Sequence, residues 1–500
     1  MVVRFKHPTF NIQHPTLNGV ARLESLDVER SMLSVRRSPS QSGSILIIVL
    51  WIALGLVSIT LYFANAMSFE LRASDNRVSG LATEQAIDGA ARYLGYVLSN
   101  FATNGAVPDA SLFRSEGVPV GDAHFWLIGR DTNSSPAHPD QVFFGLVDEG
   151  SKLNLNATNT TLEMLEMLPH MTAELAANIL SWRSTNVDSS SGGAGSETYA
   201  MQTPPYLCKS APFETVDELR LVYGADLATL VGEDANRNGI LDPNEMDEDR
   251  NGQVDPGVLE CVTVYSREPN TRSDGSARVD VQTLNANSAE LRTLLETNFS
   301  TSRASQIFTS LGLSPSTAGP GRPTTPNPAA RGVTTITLAS PLEFFARSGM
   351  TADEFAQIAN AISIGTNTFI EGRININTAS ATVLACLPGV TNRAQDVISY
   401  RQSNPDKLNS VAWILEALSL SGQDAGQFAQ QLGDCVTTQS YQFTADVAAV
   451  GPFGRGYRRV RFVFDTSEGT PKIIYRHDLT HLGWALGKAV RQTWLAKNTP

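Results

Sequence analysis

One uncharged apolar run constrains this 500-residue chain more than any other feature. Residues 45–63 carry no charged side chain. At about 1.5 Å per helical residue they span roughly 28 Å, close to the hydrocarbon thickness of a bilayer. The small residues Ser42, Gly43 and Ser44 precede this run, whereas a secretory signal places its cleavage site after the run. A cut between Gly43 and Ser44 would leave the apolar helix as the new N-terminus, and we predict that cut.

The charge of residues 1–43 predicts the topology of the membrane span. This segment holds six Lys or Arg against three Asp or Glu, and such a positive excess keeps a flanking segment in the cytoplasm. We therefore expect a single-pass inner-membrane protein with a cytoplasmic N-terminus and with the bulk of the chain in the periplasm. Met32 would give a shorter basic leader that ends at the same Gly43, and we expect translation to start there.

Composition and missing motifs exclude several classes of function. The net charge of −12 argues against a nucleic-acid partner for the protein as a whole. We find no Gly-x-Ser-x-Gly, His-Glu-x-x-His, P-loop or dinucleotide motif, so we predict a protein that is not an enzyme.

The four cysteines show no Cys-x-x-Cys spacing, so a zinc or redox motif is not expected. An oxidising compartment would permit disulfides. The pairs nearest in sequence are Cys208–Cys261 and Cys386–Cys435, and buried free thiols are an equal alternative.

The order of strand-like and helical segments predicts an α+β protein with a large all-α insertion. An apolar stripe extends the first helix to about residue 101. Strand patterns follow at 124–128 and 142–147, and further strand patterns appear only near the C-terminus. The helical block between them is therefore inserted into a sheet domain. The predicted organisation is a leader (1–43), a long helix (44–101), the first part of a sheet (120–150), a helical insertion with a first repeat and acidic loops (151–312), a proline-rich linker (313–333), a second repeat (334–437), C-terminal strands (438–480) and a tail (481–500).

An internal repeat lies within the predicted insertion. Residues 152–183 and 373–401 each contain an alternating phrase, a helix, a Leu-Pro turn and a second helix, and residues 279–295 repeat the opening phrase more weakly. The pattern is typical of a helix-hairpin-helix, similar to the SAM-like fold. Such hairpins can present amides to a DNA phosphate, but basic residues are not clustered at either turn, so a packing role is the favoured interpretation.

Two acidic loops carry the clearest chemical signal. The first fills the oxygen-ligand positions 1, 3, 5, 7, 9 and 12 of an EF-hand loop, with glycine at position 6 for the sharp turn. A second loop restarts the pattern thirteen residues later, with Val258 where the bidentate glutamate belongs. We predict structural Ca²⁺ sites, the second completed by a neighbouring loop or water. The predicted ligands are Asp234, Asn236, Asn238, the Ile240 carbonyl, Asp242 and Glu245 in the first loop, and Asp247, Asp249, Asn251, Gln253 and Asp255 in the second.

Several phrases between residues 36 and 480 resemble the protein K family of minor pseudopilins in type II secretion systems. They are Ser42-Gly43-Ser44-Ile45, Asp148-Glu-Gly-Ser-Lys-Leu-Asn-Leu-Asn156, Pro204-Pro-Tyr206 with Ala211-Pro-Phe-Glu-Thr-Val-Asp-Glu-Leu219, and Glu371-Gly-Arg-Ile-Asn-Ile-Asn-Thr-Ala379. The fifth residue after the predicted cut is Ile48, where most pilins have glutamate and this family does not. The long leader and the proline-rich insertion depart from the family pattern.

The resemblance implies a transmembrane pilin helix, a pilin-type antiparallel sheet and a place at the tip of the pseudopilus. There the protein would prime assembly and support export across the outer membrane. It implies as partners other minor pseudopilins (homologues of proteins I and J), the major pseudopilin and prepilin peptidase. Two alternatives share some of these features: a periplasmic helix-hairpin-helix DNA receptor of the competence type, and a minor pilin of a type IV pilus.

Overall fold

The computed structural model describes residues 42–132, 141–184, 192–313 and 334–497. It contains two compact units, Met1–Leu71 and Arg72–Pro500. The predicted leader (1–43) lies outside the described residues except at its last two positions, and the predicted linker (313–333) lies outside them except at Leu313.

The described residues form fifteen α-helices and sixteen strands. The helices are α1 (Ser42–Phe101), α2 (Leu162–Glu166), α3 (Ala173–Arg183), α4 (Ser196–Ala200), α5 (Leu227–Val231), α6 (Val258–Cys261), α7 (Ala289–Asn298), α8 (Thr301–Ser310), α9 (Pro341–Ser348), α10 (Ala352–Ile358), α11 (Ala381–Ala385), α12 (Ala394–Ser403), α13 (Trp413–Ala417), α14 (Gly422–Leu432) and α15 (Gly487–Lys497). The strands are β1 (Val118–Val120), β2 (Ala123–Ile128), β3 (Val147–Asp148), β4 (Leu153–Asn154), β5 (Val262–Thr263), β6 (Arg267–Pro269), β7 (Val279–Asp280), β8 (Thr283–Asn285), β9 (Thr335–Thr337), β10 (Ile362–Ser363), β11 (Phe369–Glu371), β12 (Ile374–Asn375), β13 (Val436–Thr437), β14 (Gln442–Val450), β15 (Tyr457–Asp465) and β16 (Lys472–Asp478).

The first unit contains the apolar part of α1. From Ile45 to Leu71 the side chains of this helix are exposed. The helix is long enough and apolar enough to cross a membrane. It is therefore consistent with a single-pass anchor.

The second unit is built on an antiparallel sheet with the strand order β1-β2-β14-β15-β16, and β3 also pairs with β14. Alternate side chains of β14 pack with the apolar stripe of α1 in one hydrophobic cluster, which includes Leu94, Phe125, Phe443 and Phe462. All nine residues of β14 are buried. A strand buried on both faces needs a second layer, and the insertion and the C-terminal segment supply it.

The predicted strand at 142–147 forms a strand only at its last residue, which belongs to β3, and Phe144 makes an isolated bridge to Ile128. Along the chain, residues 149–441 are inserted between β3 and β14, which are neighbouring strands of the main sheet.

The insertion mixes helices with short strands, so the prediction that it is all-α is wrong. Five two-stranded sheets lie among its described residues: β4-β5, β7-β10 and β12-β13 are parallel, and β6-β11 and β8-β9 are antiparallel. The phrases Leu153-Asn-Leu155 and Ile374-Asn-Ile376 alternate apolar and polar residues, which is a strand pattern. Each pairs with a strand at least 60 residues away in the sequence. The surrounding residues have helical patterns, so these short strands were not predicted.

The three segments that carry the repeated phrase share one backbone hydrogen-bond arrangement. In each copy the first short strand is followed by a backbone amide that donates to the carbonyl at the end of the parallel partner. The three bonds are Leu155 N to Thr263 O (2.9 Å), Ile376 N to Thr437 O (3.0 Å) and Val281 N to Ser363 O (2.9 Å). The first two copies share one hydrophobic core, whereas residues around 279–362 form a second core.

An arginine at the end of the second helix closes each of the first two copies. Arg183 donates to the carbonyls of Ala157 (2.8 Å) and Thr160 (2.9 Å), and Arg401 donates to those of Ile376 (3.1 Å) and Ala379 (2.9 Å). At the turn between the two helices, Gly389 has φ +78° and its counterpart His170 has φ +54°. The likeness of these copies to the SAM-like fold stays a prediction.

All four cysteines are buried free thiols, which is one of the two expected alternatives.

Candidate metal centre

The acidic loops form a closed excursion between two short helices. Helix α5 ends at Val231 and α6 begins at Val258. An antiparallel bridge between Gly232 and Pro256 joins the two ends, and Glu233 N donates to Asp255 O at 2.9 Å. Gly232 has φ +65°, and a β-carbon there would lie 2.3 Å from Asp255 O, so glycine is required for this close approach. The base of the excursion is therefore fixed by backbone contacts.

The first loop has its carboxylates turned inward. Asp234 accepts the amides of Asn238 (2.9 Å) and Gly239 (2.8 Å), and Gly239 has φ +85°. Glu245 reaches back across the loop, since its two oxygens accept the amides of Asn236 (3.1 Å) and Asp242 (2.9 Å). Position 12 of the pattern thus contacts positions 3 and 9, and position 1 contacts positions 5 and 6.

One buried oxygen inside the first loop fits a role as a cation ligand. The Asn236 residue is 6% exposed, and its Nδ2 donates to Asp242 Oδ2 at 2.7 Å. Its Oδ1 is buried, and no donor among the described residues forms a hydrogen bond with it. A buried amide oxygen without a partner is costly, whereas a hard cation would satisfy it.

Ionisation of two carboxyl groups in the first loop is unfavourable. Burial raises the pKa of Asp234, and this outweighs the attraction of Arg130. Burial also raises the pKa of Glu245, and repulsion from Asp234 and Asp242 adds to it. A divalent cation would stabilise both ionised carboxylates and so offset these effects. The donor set of carboxylate, amide and carbonyl oxygens suits Ca²⁺, so the residues fit the predicted ion.

The second loop repeats the backbone arrangement of the first but lies at the surface. Asp247 accepts the amides of Asn251 (3.1 Å) and Gly252 (3.0 Å), as Asp234 does in the first loop. Asp249 Oδ2 accepts Asn251 Nδ2 at 2.7 Å, and Asn251 Oδ1 accepts the amide of Gln253. The two loops therefore share a backbone hydrogen-bond arrangement as well as a sequence pattern.

Glu233 is a candidate calcium ligand that the sequence pattern did not identify. Its carboxylate lies with those of Asp249 and Asp255, with ligand atoms within 4.8 Å of one another. Its oxygens accept the amides of Glu248 (2.6 Å) and Asp255 (3.1 Å). Glu233 therefore offers the side-chain oxygens that Val258, at position 12 of the second loop, does not have. It precedes both loops, and the available signal was the acidic residue directly before Asp234.

The predicted processing residues lie at the start of α1. Gly43 and Ser44 belong to its first turn, and Ile48 follows one turn later with an exposed side chain. They lie in the first unit.

Comparison with known proteins places the chain in a family. Residues 146–231 and 374–433 match two models of the family described as type II secretion system, protein K. The chain belongs to the type II secretion system protein K family. In this protein K family member the matched segments contain the first two copies of the repeat and end before Glu233, so the match does not bear on the acidic loops.

Other comparisons are weaker. A crystal structure of the GspK-GspI-GspJ complex from enterotoxigenic Escherichia coli aligns with 84% of this chain and 98% of the other chain, at 11% identity and a TM-score of 0.33. That score is too low to support an argument. No curated protein matches the sequence.

Proposed function

We propose that this protein, a minor pseudopilin of type II secretion by its family, occupies the tip of the pseudopilus. There it would prime assembly and support protein export across the outer membrane. The observation that carries the proposal is the bulk of residues 149–441, inserted between β3 and β14 of one sheet. A repeating fibre would have to accommodate this insertion at every subunit, whereas a tip accommodates it once. The family is a structural component of secretion and not an enzyme family.

The residue at position 48 also supports a location at the tip of the pseudopilus. In a fibre, a glutamate at the fifth mature position would pair with the N-terminal ammonium of the subunit ahead. A subunit at the tip has none ahead of it, and an unpaired carboxylate in lipid costs several kcal/mol. Ile48 removes that cost. Prepilin peptidase would expose Ser44 as the mature N-terminus, and the remainder of the chain beyond the span would be periplasmic.

The tip proposal is tested by location and partners. The full chain, carrying a small epitope, is expressed with the homologues of proteins I and J, with and without the major pseudopilin. We expect a complex with I and J without the major pseudopilin, and labelling of one end of sheared pseudopili when it is present. Labelling along the whole length would refute the tip position. Nanomolar retardation of duplex DNA at physiological salt would instead favour the DNA receptor.

We also propose that the two acidic loops bind structural Ca²⁺. The unpartnered Oδ1 of Asn236 and the raised pKa values of Asp234 and Glu245 support it. Glu245→Ala should remove most of the affinity of the first site because it removes a ligand of two oxygens. Val258→Ala is the matched control, since that side chain has no oxygen to offer. Calcium titration of the full chain in detergent measures both, and the absence of calcium binding to the unmodified chain would refute the metal site.

A further inference from the structure

Two backbone carbonyls of the first acidic loop point away from the loop and are held by the main sheet. Arg459, on β15, donates to the carbonyl of Asn236 through Nη1 and to that of Arg237 through Nη2 at 2.7 Å. Arg130, just after β2, adds a bond from its own Nη2 to the Arg237 carbonyl at 2.9 Å. The sheet thus contacts the loop at positions 3 and 4 of the calcium pattern.

The guanidinium of Arg459 is itself fixed from the opposite side. The residue is 0% exposed, and its Nε and Nη2 each donate to Asp446 on the neighbouring strand β14 at 2.8 Å. Burial opposes ionisation of Asp446, but attraction from Arg459 and Arg461 outweighs it and lowers the pKa of this carboxyl. A planar guanidinium can serve a carboxylate and two carbonyls at once, whereas a lysine ammonium cannot match that geometry.

The direction of the two carbonyls decides where the amides of the loop point. A trans peptide is planar, with its C=O and N–H on opposite sides. When Arg459 draws the carbonyls of Asn236 and Arg237 outward, the amides of Arg237 and Asn238 turn inward. The Asn238 amide then meets the Asp234 carboxylate at 2.9 Å. Arg237 holds φ +57° between these two peptides, a conformation that a non-glycine residue keeps only when its surroundings enforce it.

Two further contacts bind the same loop to the layer beside the sheet. The Ile240 side chain packs in one cluster with Val142, Ala448 and Leu486. Asn238 Nδ2 donates to the carbonyl of Ala485 at 3.3 Å. The loop is therefore seated on the face of the sheet that α1 does not cover.

We infer that Arg459 is a positioning residue for the first calcium site, and that this site fastens the insertion to the pilin sheet in a calcium-dependent way. The inference rests on the proposed calcium binding. Occupancy of the loop and docking of the loop on β15 become one equilibrium, because the same two peptides serve the carboxylate inside and the arginine outside. Calcium should stiffen the junction, and loss of the arginine should weaken calcium binding.

The decisive comparison is Arg459→Lys against Arg461→Lys in the full chain in detergent, titrated with calcium chloride. Arg461 lies on the same strand and donates to the same carboxylate, with Nη2 at 2.9 Å from Asp446 Oδ2, but its hydrogen bonds do not reach the loop carbonyls. Arg459→Lys should raise the Kd of one site by about 10–100-fold, the usual cost of losing a group that orients a ligand. Arg461→Lys should leave both Kd values unchanged.

Each outcome decides a different statement. Equal Kd values in Arg459→Lys and the unmodified chain would overturn the positioning role, as would an equal loss in Arg461→Lys. Absence of calcium binding to the unmodified chain would refute the metal site itself. If Arg459→Lys does not fold, amide exchange of the unmodified chain decides: calcium should slow exchange in residues 457–465, and unchanged exchange there would overturn the inference.

Discussion

Replacing Glu233 by Gln should separate repulsion in the calcium-free protein from coordination in the calcium-bound one. Glu233, Asp249 and Asp255 bring ligand atoms within 4.8 Å of one another. Two unit charges at that distance repel by about 0.9 kcal/mol even at the dielectric constant of water. Burial and then repulsion from Asp249 and Glu233 raise the pKa of Asp255, which agrees with this picture.

The substitution has a favourable and an unfavourable effect on the calcium-free protein. It removes two of the three repelling pairs, a gain of roughly 2 kcal/mol. Glutamine accepts with one oxygen where Glu233 accepts the amides of Glu248 and Asp255 with two, so about 1 kcal/mol of hydrogen bonding is lost. In chelator we therefore expect Glu233→Gln to be as stable as the unmodified protein or slightly more stable.

In calcium the order should reverse. A site filled at a hundredfold excess over Kd contributes about 2.7 kcal/mol, so two filled sites contribute twice that value. Glu233→Gln should lose the second site and keep about half of the calcium-induced rise in Tm. Thermal unfolding of the full chain in detergent, in calcium and in chelator, measures it. Glu248→Gln is the matched control because it removes an equal charge next to the ligands and should keep the full rise. A full rise in Glu233→Gln would refute the assignment of this carboxylate as a ligand.

Three further predictions follow from other parts of the chain. Mass spectrometry of the mature protein should find Ser44 at the N-terminus, and Gly43→Trp should leave the precursor uncut; any other start refutes the processing site. Asp446→Asn should lower the free energy of unfolding by about 3–5 kcal/mol, because two arginines beside it lose their counter-charge, and a Tm equal to that of the unmodified protein would contradict this. Because the pKa values of Asp234 and Glu245 are raised, both carboxyls take up protons at higher pH than usual, so calcium Kd should rise as pH falls from about 7 to about 4.5; a constant Kd would contradict it.

Several elements could be predicted because their signal is local. The helix ends at Phe101, where its apolar stripe ends, since a stripe of period 3.6 reports the buried face directly. The first acidic loop brings its predicted residues together because all six lie within twelve positions and a glycine permits the turn. The repeat was visible because its copies share a phrase.

Other features depend on residues that only packing brings together. The parallel pairs of short strands were missed because each partner carries too few residues to show a period of its own. Glu233 reaches the second loop only because the bridge between Gly232 and Pro256 closes the excursion. The sequence does not indicate that closure, since it depends on how α5 and α6 pack.

The apolar span, the two acidic loops and the repeated phrases can be identified from the amino-acid sequence alone, because each depends on residues close together along the chain. The seat of the first loop on the sheet is a property of the tertiary structure. Arg459 lies more than 220 positions from the carbonyls that it holds. It is one of several arginines on β15, and its neighbour Arg461 contacts the same carboxylate without reaching the loop. Hydrogen bonds act over about 3 Å, so the choice between such residues is made only when β14, β15 and the loop are packed together.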